Sequence, residues 1–287
     1  MSERLSHRLV AVVACPDRRG LVAAVAGFFA EHRCNILDSA HFTDPDTGRF
    51  FMRVLADLSE APSREELETA FAPVAAGFGM DWRFHDPARR PKVVVLASRH
   101  PHCLNDLLFR QKHGGLWLDV AAVVSNHRDV EPLARSYGAP FRYFPVTPDT
   151  RDQQEARIEE LQTAVDAELI VLARYMQVLS DGFSRRWLGR CINIHHSFLP
   201  SFKGARPYHQ AYARGVKLIG ATAHYVTPEL DEGPIIAQDA VHVDHAMTPD
   251  DLIAAGRDVE SLVLARAVKA WTERRVFLNG SKTVVLR

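Results

Sequence analysis

The sequence predicts an α/β protein in two modules, an N-terminal α+β unit of βαββαβ order followed by a Rossmann-like unit. Three observations predict it. Up to about residue 86, short strand and helix patterns follow one another in the order βαββαβ. The stretch Asp86-Pro-Ala-Arg-Arg-Pro91 is proline-rich and charged, a linker by composition. Beyond it, apolar runs without alternation, the kind buried on both faces of a sheet, alternate with helical stretches. The division is therefore residues 1–86, a linker at 87–91, and a second module over 92–287.

In the first module, Leu9 to Ala14 is a short apolar run ended by Pro16 and followed by Asp17-Arg-Arg-Gly20. Leu21, Val22, Val25, Phe28, Phe29 and His32 recur at three- and four-residue steps, the stripe of an amphipathic helix. Asn35 is the expected helix stop. Ile36 to Phe42 and Phe50 to Leu58 read as strands around a turn at Asp44-Pro-Asp-Thr-Gly48. Ser63-Arg-Glu-Glu66 is a capping box before a helix with Leu67, Ala70, Phe71 and Val74 on one face. Met80, Trp82 and Phe84 alternate as a last strand. One antiparallel sheet with two helices on one face accommodates this order. The stretch resembles an ACT domain, through Asp17-Arg-Arg-Gly20-Leu-Val and Asn35-Ile36. That resemblance implies a regulatory module, part of a homo-oligomer, binding an amino-acid effector at a subunit interface through Asp17, Gly20 and Asn35. A helix N-terminus beside a glycine leaves backbone N–H groups free for a ligand carboxylate. The alternative is that Gly20 only permits the turn and the module only dimerises.

In the second module, strands are expected at Lys92 to Ser98, Asp119 to Ser125, Phe141 to Val146, Leu169 to Leu172 and Ile192 to His195. Helices fall between them at about Pro101 to Gln111, Val130 to Tyr137 and Gln153 to Ala167. Ile219 to Thr227 and Ile235 to Val243 read as an antiparallel pair joined by the loop Pro228-Glu-Leu-Asp-Glu-Gly-Pro234. Thr248-Pro-Asp-Asp251 caps a long helix whose apolar face runs from Leu252 to Trp271. The tail after Asn279-Gly280 is expected to form a short final strand.

Composition excludes several classes of partner. Lys plus Arg equals Asp plus Glu at 35 each, so no net field recruits nucleic acid or an anionic membrane. No run approaches the roughly 18 apolar residues of a membrane span, and the N-terminus has no signal-peptide core. Cys15, Cys34, Cys103 and Cys191 are scattered, which suits free thiols in a reducing cytoplasm.

The chemistry concentrates at Cys191-Ile-Asn-Ile-His-His-Ser-Phe-Leu-Pro200. Alternation with Ile192 and Ile194 puts Asn193 and His195 on one side of a strand, about 6.5–7 Å apart, at its carboxyl end. Ligands of such sheets bind at that end. No Gly-x-Gly-x-x-Gly or P-loop follows the first strand of the module, where Ser98-Arg-His-Pro-His-Cys-Leu-Asn-Asp106 stands. His195 and His196 are adjacent and expected to face opposite ways, so no metal site is expected. Ser197 lacks the context of a nucleophile elbow. An amide, an imidazole and the carboxylate of Asp231 remain. The amide can stabilise negative charge on a carbonyl oxygen, the imidazole can move protons, and the carboxylate can orient the imidazole or hold a water. This set suits acyl transfer or acyl hydrolysis.

Asn193-Ile-His195, Ser197-Phe-Leu-Pro200 and Leu230-Asp231-Glu-Gly-Pro-Ile-Ile236 resemble the signature of the formyltransferase family, users of 10-formyltetrahydrofolate. The resemblance implies that Asn193, His195 and Asp231 are catalytic and that Thr222 and His224 lie near the reacting water. It also implies that Met176, Gln177, Val178 and Leu179 line a pterin pocket, with plain core packing as the alternative. An ACT-like module ahead of such a domain, and the run on to Gly204-Ala-Arg-Pro-Tyr-His209, resemble the formyltetrahydrofolate deformylases. The expected reaction is hydrolysis of 10-formyltetrahydrofolate to tetrahydrofolate and formate, balancing folate pools and supplying formate for purine synthesis. The folate is then the substrate and no cofactor is expected. Transfer to an unidentified amine acceptor, or a non-catalytic folate or amino-acid sensor, are the alternatives. Where transferase relatives have a proline after the histidine this chain has His196, and where they have a glycine-rich phosphate loop it has Arg99-His-Pro-His102; both departures favour water as acceptor.

Overall fold

A four-stranded antiparallel sheet organises the first unit of the computed structural model, which describes residues 7–199 and 207–287. Its elements are β1 (Arg8–Pro16), α1 (Leu21–Glu31), β2 (Asn35–Asp44), β3 (Arg49–Asp57), α2 (Arg64–Phe78) and β4 (Asp81–His85), with sheet order β2-β3-β1-β4. Alternation along β1 sends Leu9, Ala11, Val13 and Cys15 to one face, where they pack with Val25 and Phe29 of α1 and Leu67 and Phe71 of α2. Helix α2 opens with the expected capping box, Ser63 Oγ accepting from Glu66 N and Glu66 Oε2 accepting from Ser63 N at 2.8 Å. Asn35 is not the helix stop. Arg33 takes the left-handed conformation (φ 58°) and the Cys34 N–H closes back on the Phe29 carbonyl at 2.8 Å. Asn35 is thereby released to begin β2.

The second unit, Pro91–Thr272, is a seven-stranded sheet. Its elements are β5 (Lys92–Ala97), α3 (His102–Lys112), β6 (Asp119–Ser125), α4 (Glu131–Ser136), β7 (Phe141–Tyr143), α5 (Arg151–Val165), β8 (Leu169–Ala173), α6 (Asp181–Arg186), β9 (Cys191–His195), α7 (Pro207–Ala213), β10 (Leu218–Tyr225), β11 (Ile235–His242) and α8 (Pro249–Thr272). Sheet order is β11-β10-β9-β8-β5-β6-β7. Strands β5 to β9 run parallel, whereas β10 and β11 are antiparallel. Every residue of β8 is buried, as an unalternating run requires. The chain builds outward from β5 to β7, then returns to place β8 and β9 on the other side of β5. That reversal of order puts a crevice at the carboxyl ends of the central strands.

After α8, β12 (Val276–Asn279) pairs in a hairpin with β13 (Lys282–Val285), the final strand expected after Asn279-Gly280. The tail Glu273–Arg287 groups with the residues up to Arg90, whereas the sequence division left it in the second module. The cause is the second face of the first sheet. Phe51 points away from the helices and would be bare, but Phe277 covers it with ring centroids 5.6 Å apart, and it is fully buried. Arg53 Nε donates to the Glu273 carbonyl at 2.8 Å, and Asn279 Nδ2 donates to Asp44.

Gly256 lies inside α8, where alanine is ordinarily the better helix former. Here a Cβ would fall 2.2 Å from Cζ of Tyr208. Gly256→Ala is therefore expected to destabilise the protein by about 1–3 kcal/mol rather than stabilise it, measured by urea unfolding. An unchanged or raised midpoint would contradict this packing.

Candidate active site

The site assembles where the parallel part of the second sheet meets its antiparallel part. Strand β9 ends at His195, and the antiparallel register sets Thr222 opposite His195 and His224 opposite Asn193. The loop between β10 and β11 brings Asp231 back over that strand end. It does so by pressing flat against the chain: a Cβ on Gly233 would lie 1.7 Å from the Tyr225 carbonyl oxygen, so no other residue fits there. Tyr225 N donates to the Pro234 carbonyl at 2.9 Å, closing the loop. Asp231 itself has φ 58°, the left-handed region that aspartate tolerates better than most residues.

His195 Nδ1 lies 3.1 Å from Asp231 Oδ2. A carboxylate only accepts, so Nδ1 carries a hydrogen, and Nε2 is the nitrogen left to exchange a proton. Nε2 is buried and has no partner among the described residues. His224 Nδ1 lies 2.9 Å from the Tyr225 carbonyl and must donate to it. Its Nε2 stands 3.3 Å from Asn193 Nδ2 and 3.7 Å from Asp231 Oδ1. This contact orients the Asn193 amide. Burial alone would raise the Asp231 pKa, but His195 and His224 beside it hold the carboxyl well below the ordinary range, so it is charged.

A cavity of about 260 Å³ opens onto these groups. Asn193, His195, His224 and Asp231 line it, and so do Met176, Gln177, Val178 and Leu179 from the stretch after β8. Met176 and Val178 are about half exposed, which argues against core packing as their role. Thr222 does not line the cavity. It is fully buried, and its hydroxyl donates to the Ser197 carbonyl while accepting from Leu199 N and Gln238 Nε2. Both lone pairs and the hydrogen are thus spent within the protein, so the expectation that it meets substrate or water is corrected.

His196 is a second correction. The two histidines do not face opposite ways, because β9 stops at His195 and alternation ends with it; their rings lie 4.8 Å apart and both line the cavity. Burial, with Arg174 and His195 nearby, pushes the His196 pKa down to about 4, so its ring is neutral near pH 7. Behind it stands a group with no signal in the sequence. Glu260 of α8 accepts from Tyr208 Oη at 2.6 Å, meets His102 Nε2 at 2.7 Å, and lies 3.3 Å from Arg174 Nε. Burial raises its pKa, but His102, Arg174 and Tyr208 more than offset this and keep it ionised. Among the described residues His102, Cys103 and Glu260 form the one group with metal-ligand chemistry, their atoms within 4.8 Å. The Arg174 guanidinium already supplies the cation for that carboxylate. The run Pro200 to Arg206, part of the family resemblance, lies outside the described residues.

The effector residues do not converge within one copy. Asp17 and Gly20 are exposed at the turn before α1, and Gly20 adopts φ 94°. Asn35 opens β2 beyond the far end of α1, eleven residues or about 16 Å of helix away.

The fold and site define an α/β enzyme that gathers an amide, imidazoles and a carboxylate in a crevice at the strand ends, preceded by an α+β domain. The family profile described as Formyl transferase matches residues 91–268, and that described as ACT domain matches residues 10–71. A formyltetrahydrofolate deformylase of Corynebacterium sp. (strain P-1) is 50% identical over 288 residues, covering 100% of both chains. The crystal structure of formyltetrahydrofolate deformylase from Burkholderia mallei superposes with a TM-score of 0.94 at 54% identity, covering 98% of this chain and 100% of that one. The deformylase structure from Pseudomonas putida gives 0.93 at 48% identity, over 97% of this chain and 100% of that one. The chain belongs to the formyltetrahydrofolate deformylase family.

The neutral state of His196 carries a pH signature. Its folded pKa lies below the free value of 6.5, so between that value and about 4 the unfolded chain binds more protons than the folded one. Stability is therefore lost as pH falls through this window. His196→Gln is expected to flatten the fall in melting temperature between about pH 7 and pH 5, without abolishing it, since burial also pushes His85 down to about 3. An unchanged slope would mean that His196 is charged in the folded protein.

Proposed function

We propose that this chain hydrolyses 10-formyltetrahydrofolate to tetrahydrofolate and formate. One observation carries the reading: His195, which lines the cavity with Asn193, is tied through Nδ1 to the ionised Asp231 while its buried Nε2 has no partner among the described residues. The pterin enters against Met176 to Leu179. Asn193 donates to the formyl oxygen and stabilises the charge that develops on it. Asp231 holds His195 and the attacking water. Nε2 of His195 takes a proton as water adds to the formyl carbon, stabilises the tetrahedral intermediate, and returns the proton to N10 as the C–N bond breaks. Formate and tetrahydrofolate leave. No step calls for a metal or a redox cofactor. The deformylase name shared by the whole-length relatives favours water over an amine acceptor, and the buried contact of His195 with an ionised Asp231 argues against a sensor with a dead site.

The ACT-type domain is assigned an amino-acid effector, with a second copy of the chain completing its site, since Asn35 cannot reach Gly20 within one copy. Strand β2 supports this: it is an edge strand with Leu37 and Phe42 exposed, a template for pairing with another chain. Buried free thiols at all four cysteines suit a reducing cytoplasm.

Two measurements test the proposal. Purified protein is expected to release formate from 10-formyltetrahydrofolate without any amine, and Asp231→Asn to lower kcat by about 10²–10⁴-fold while folate still binds. Release that depends on an added amine would sink the hydrolase reading. For the first domain, Leu37→Glu is expected to weaken self-association in sedimentation experiments and to abolish any response of rate to amino acids. A monomeric wild type indifferent to all of them would refute that assignment.

A further inference from the structure

A second set of hydrogen bonds lies on the same sheet face as the reacting groups, and the mechanism above does not use it. In register, His195, Thr222 and Gln238 stand side by side across β9, β10 and β11. Gln238 Nε2 has two hydrogens and spends both: one on Thr222 Oγ1 at 2.9 Å, the other on the Leu199 carbonyl at 3.1 Å. Thr222 Oγ1 accepts from Leu199 N at 3.1 Å and donates to the Ser197 carbonyl at 3.0 Å. Two side chains thus grip three backbone groups of the turn that begins directly after His195. Ser197, Leu199 and Thr222 are all buried, so no solvent stands ready to replace a lost partner.

We propose that Gln238 is a positioning residue for hydrolysis: with Thr222 it clamps the Ser197–Leu199 turn and so holds His195 at its working distance from Asp231. The inference rests on the hydrolytic reading. Its geometric basis is that one hairpin does two jobs. Strands β10 and β11 carry the clamp, and the loop joining them carries Asp231. The imidazole is therefore gripped through its backbone by the same element that presents its carboxylate partner. Releasing the turn lets the end of β9 move relative to that loop, while Met176 to Leu179, which follow β8, stay where they are. The damage falls on the chemical step and not on folate binding. Glutamine is the side chain the clamp requires. Glutamate has the reach but no N–H, and it would set a negative charge against the Leu199 carbonyl oxygen.

The test is steady-state kinetics of formate release by the full-length protein. Gln238→Leu and Gln238→Glu are expected to lower kcat by about 10–100-fold, the scale of a remote misplacement of about 1 Å, with KM for 10-formyltetrahydrofolate within about threefold of wild type. Thr222→Val is expected to fall likewise, and Thr222→Ser, which keeps the hydroxyl, to fall less. Because both residues act through one turn, the double variant Thr222→Val, Gln238→Leu should fall no further than the worse single variant. Unchanged kcat in a folded Gln238→Leu protein overturns the proposal. So does a rise in KM at constant kcat, which would make Gln238 a substrate contact. Multiplied losses in the double variant also overturn it. Should the Gln238 variants not fold, equal kcat in Thr222→Ser and Thr222→Val would still sink it. A wild type that releases no formate without an amine refutes the hydrolytic reading, whereas a hydrolytic wild type matched by Gln238→Leu refutes only this one.

Discussion

The contact between His195 Nδ1 and Asp231 Oδ2, 3.1 Å long and almost dry, is the interaction on which the second unit's chemistry depends. It fixes Nδ1 as the donor to the carboxylate and so leaves Nε2 as the nitrogen that can exchange a proton. The pair is costly to assemble. Burying a carboxylate is unfavourable unless a partner compensates, and here two histidines do so from neighbouring strands. The backbone must also fold to meet it, through a left-handed aspartate and a glycine pressed against the Tyr225 carbonyl. None of these features helps the sheet or the core. They make sense together only as the means of aiming one carboxylate at one ring.

A second buried carboxylate stands close by and plays a different part. Glu260 is 1% exposed, and three side chains from three other parts of the chain converge on it. Taking away one partner of such a buried group typically costs about 3–5 kcal/mol, so Tyr208, His102 and Arg174 are held as a set. The consequence reaches the cavity through Arg174. Its charge and the burial around it keep His196 neutral, and a neutral His196 does not oppose a proton arriving on His195, whose ring is 4.8 Å away.

Much of this was legible in the residues. Alternation around Ile192 and Ile194 placed Asn193 and His195 together, the Ser63–Glu66 box opened its helix where expected, and the βαββαβ order folded as one antiparallel sheet. What was not legible depends on where regular structure stops or on contacts distant in sequence. Alternation says nothing past the last strand residue, so the direction of His196 could not be read from its neighbour. Arg33, not the asparagine two residues on, stops α1, because an arginine in the left-handed region leaves no mark in composition. Thr222 carries a family-like position, but whether its hydroxyl faces a ligand or a backbone is decided by Gln238, sixteen residues away on another strand. The last strand was legible after Asn279-Gly280 but β12 before it was not, because what it covers, the face around Phe51, exists only once the first sheet has formed.

The position of the site within the sheet accounts for the division of labour among these residues. A parallel strand delivers its side chains to the crevice and then departs, so by itself it cannot bring a partner back to its own end. The switch to antiparallel pairing at β10 removes that restriction, because a hairpin returns the chain to the strand end it has just left. Asn193 and His195 come from the parallel part, and His224 and Asp231 come from the antiparallel part. The two pairs meet at the seam in the sheet where, among the described residues, both geometries are side by side. A wholly parallel sheet could supply the amide and the imidazole, but the carboxylate would have to come from a long crossover with no strand register to aim it. In this unit the accuracy of the site is the accuracy of a hydrogen-bonded hairpin, whose register shifts between Ala223 and His224, just before the loop.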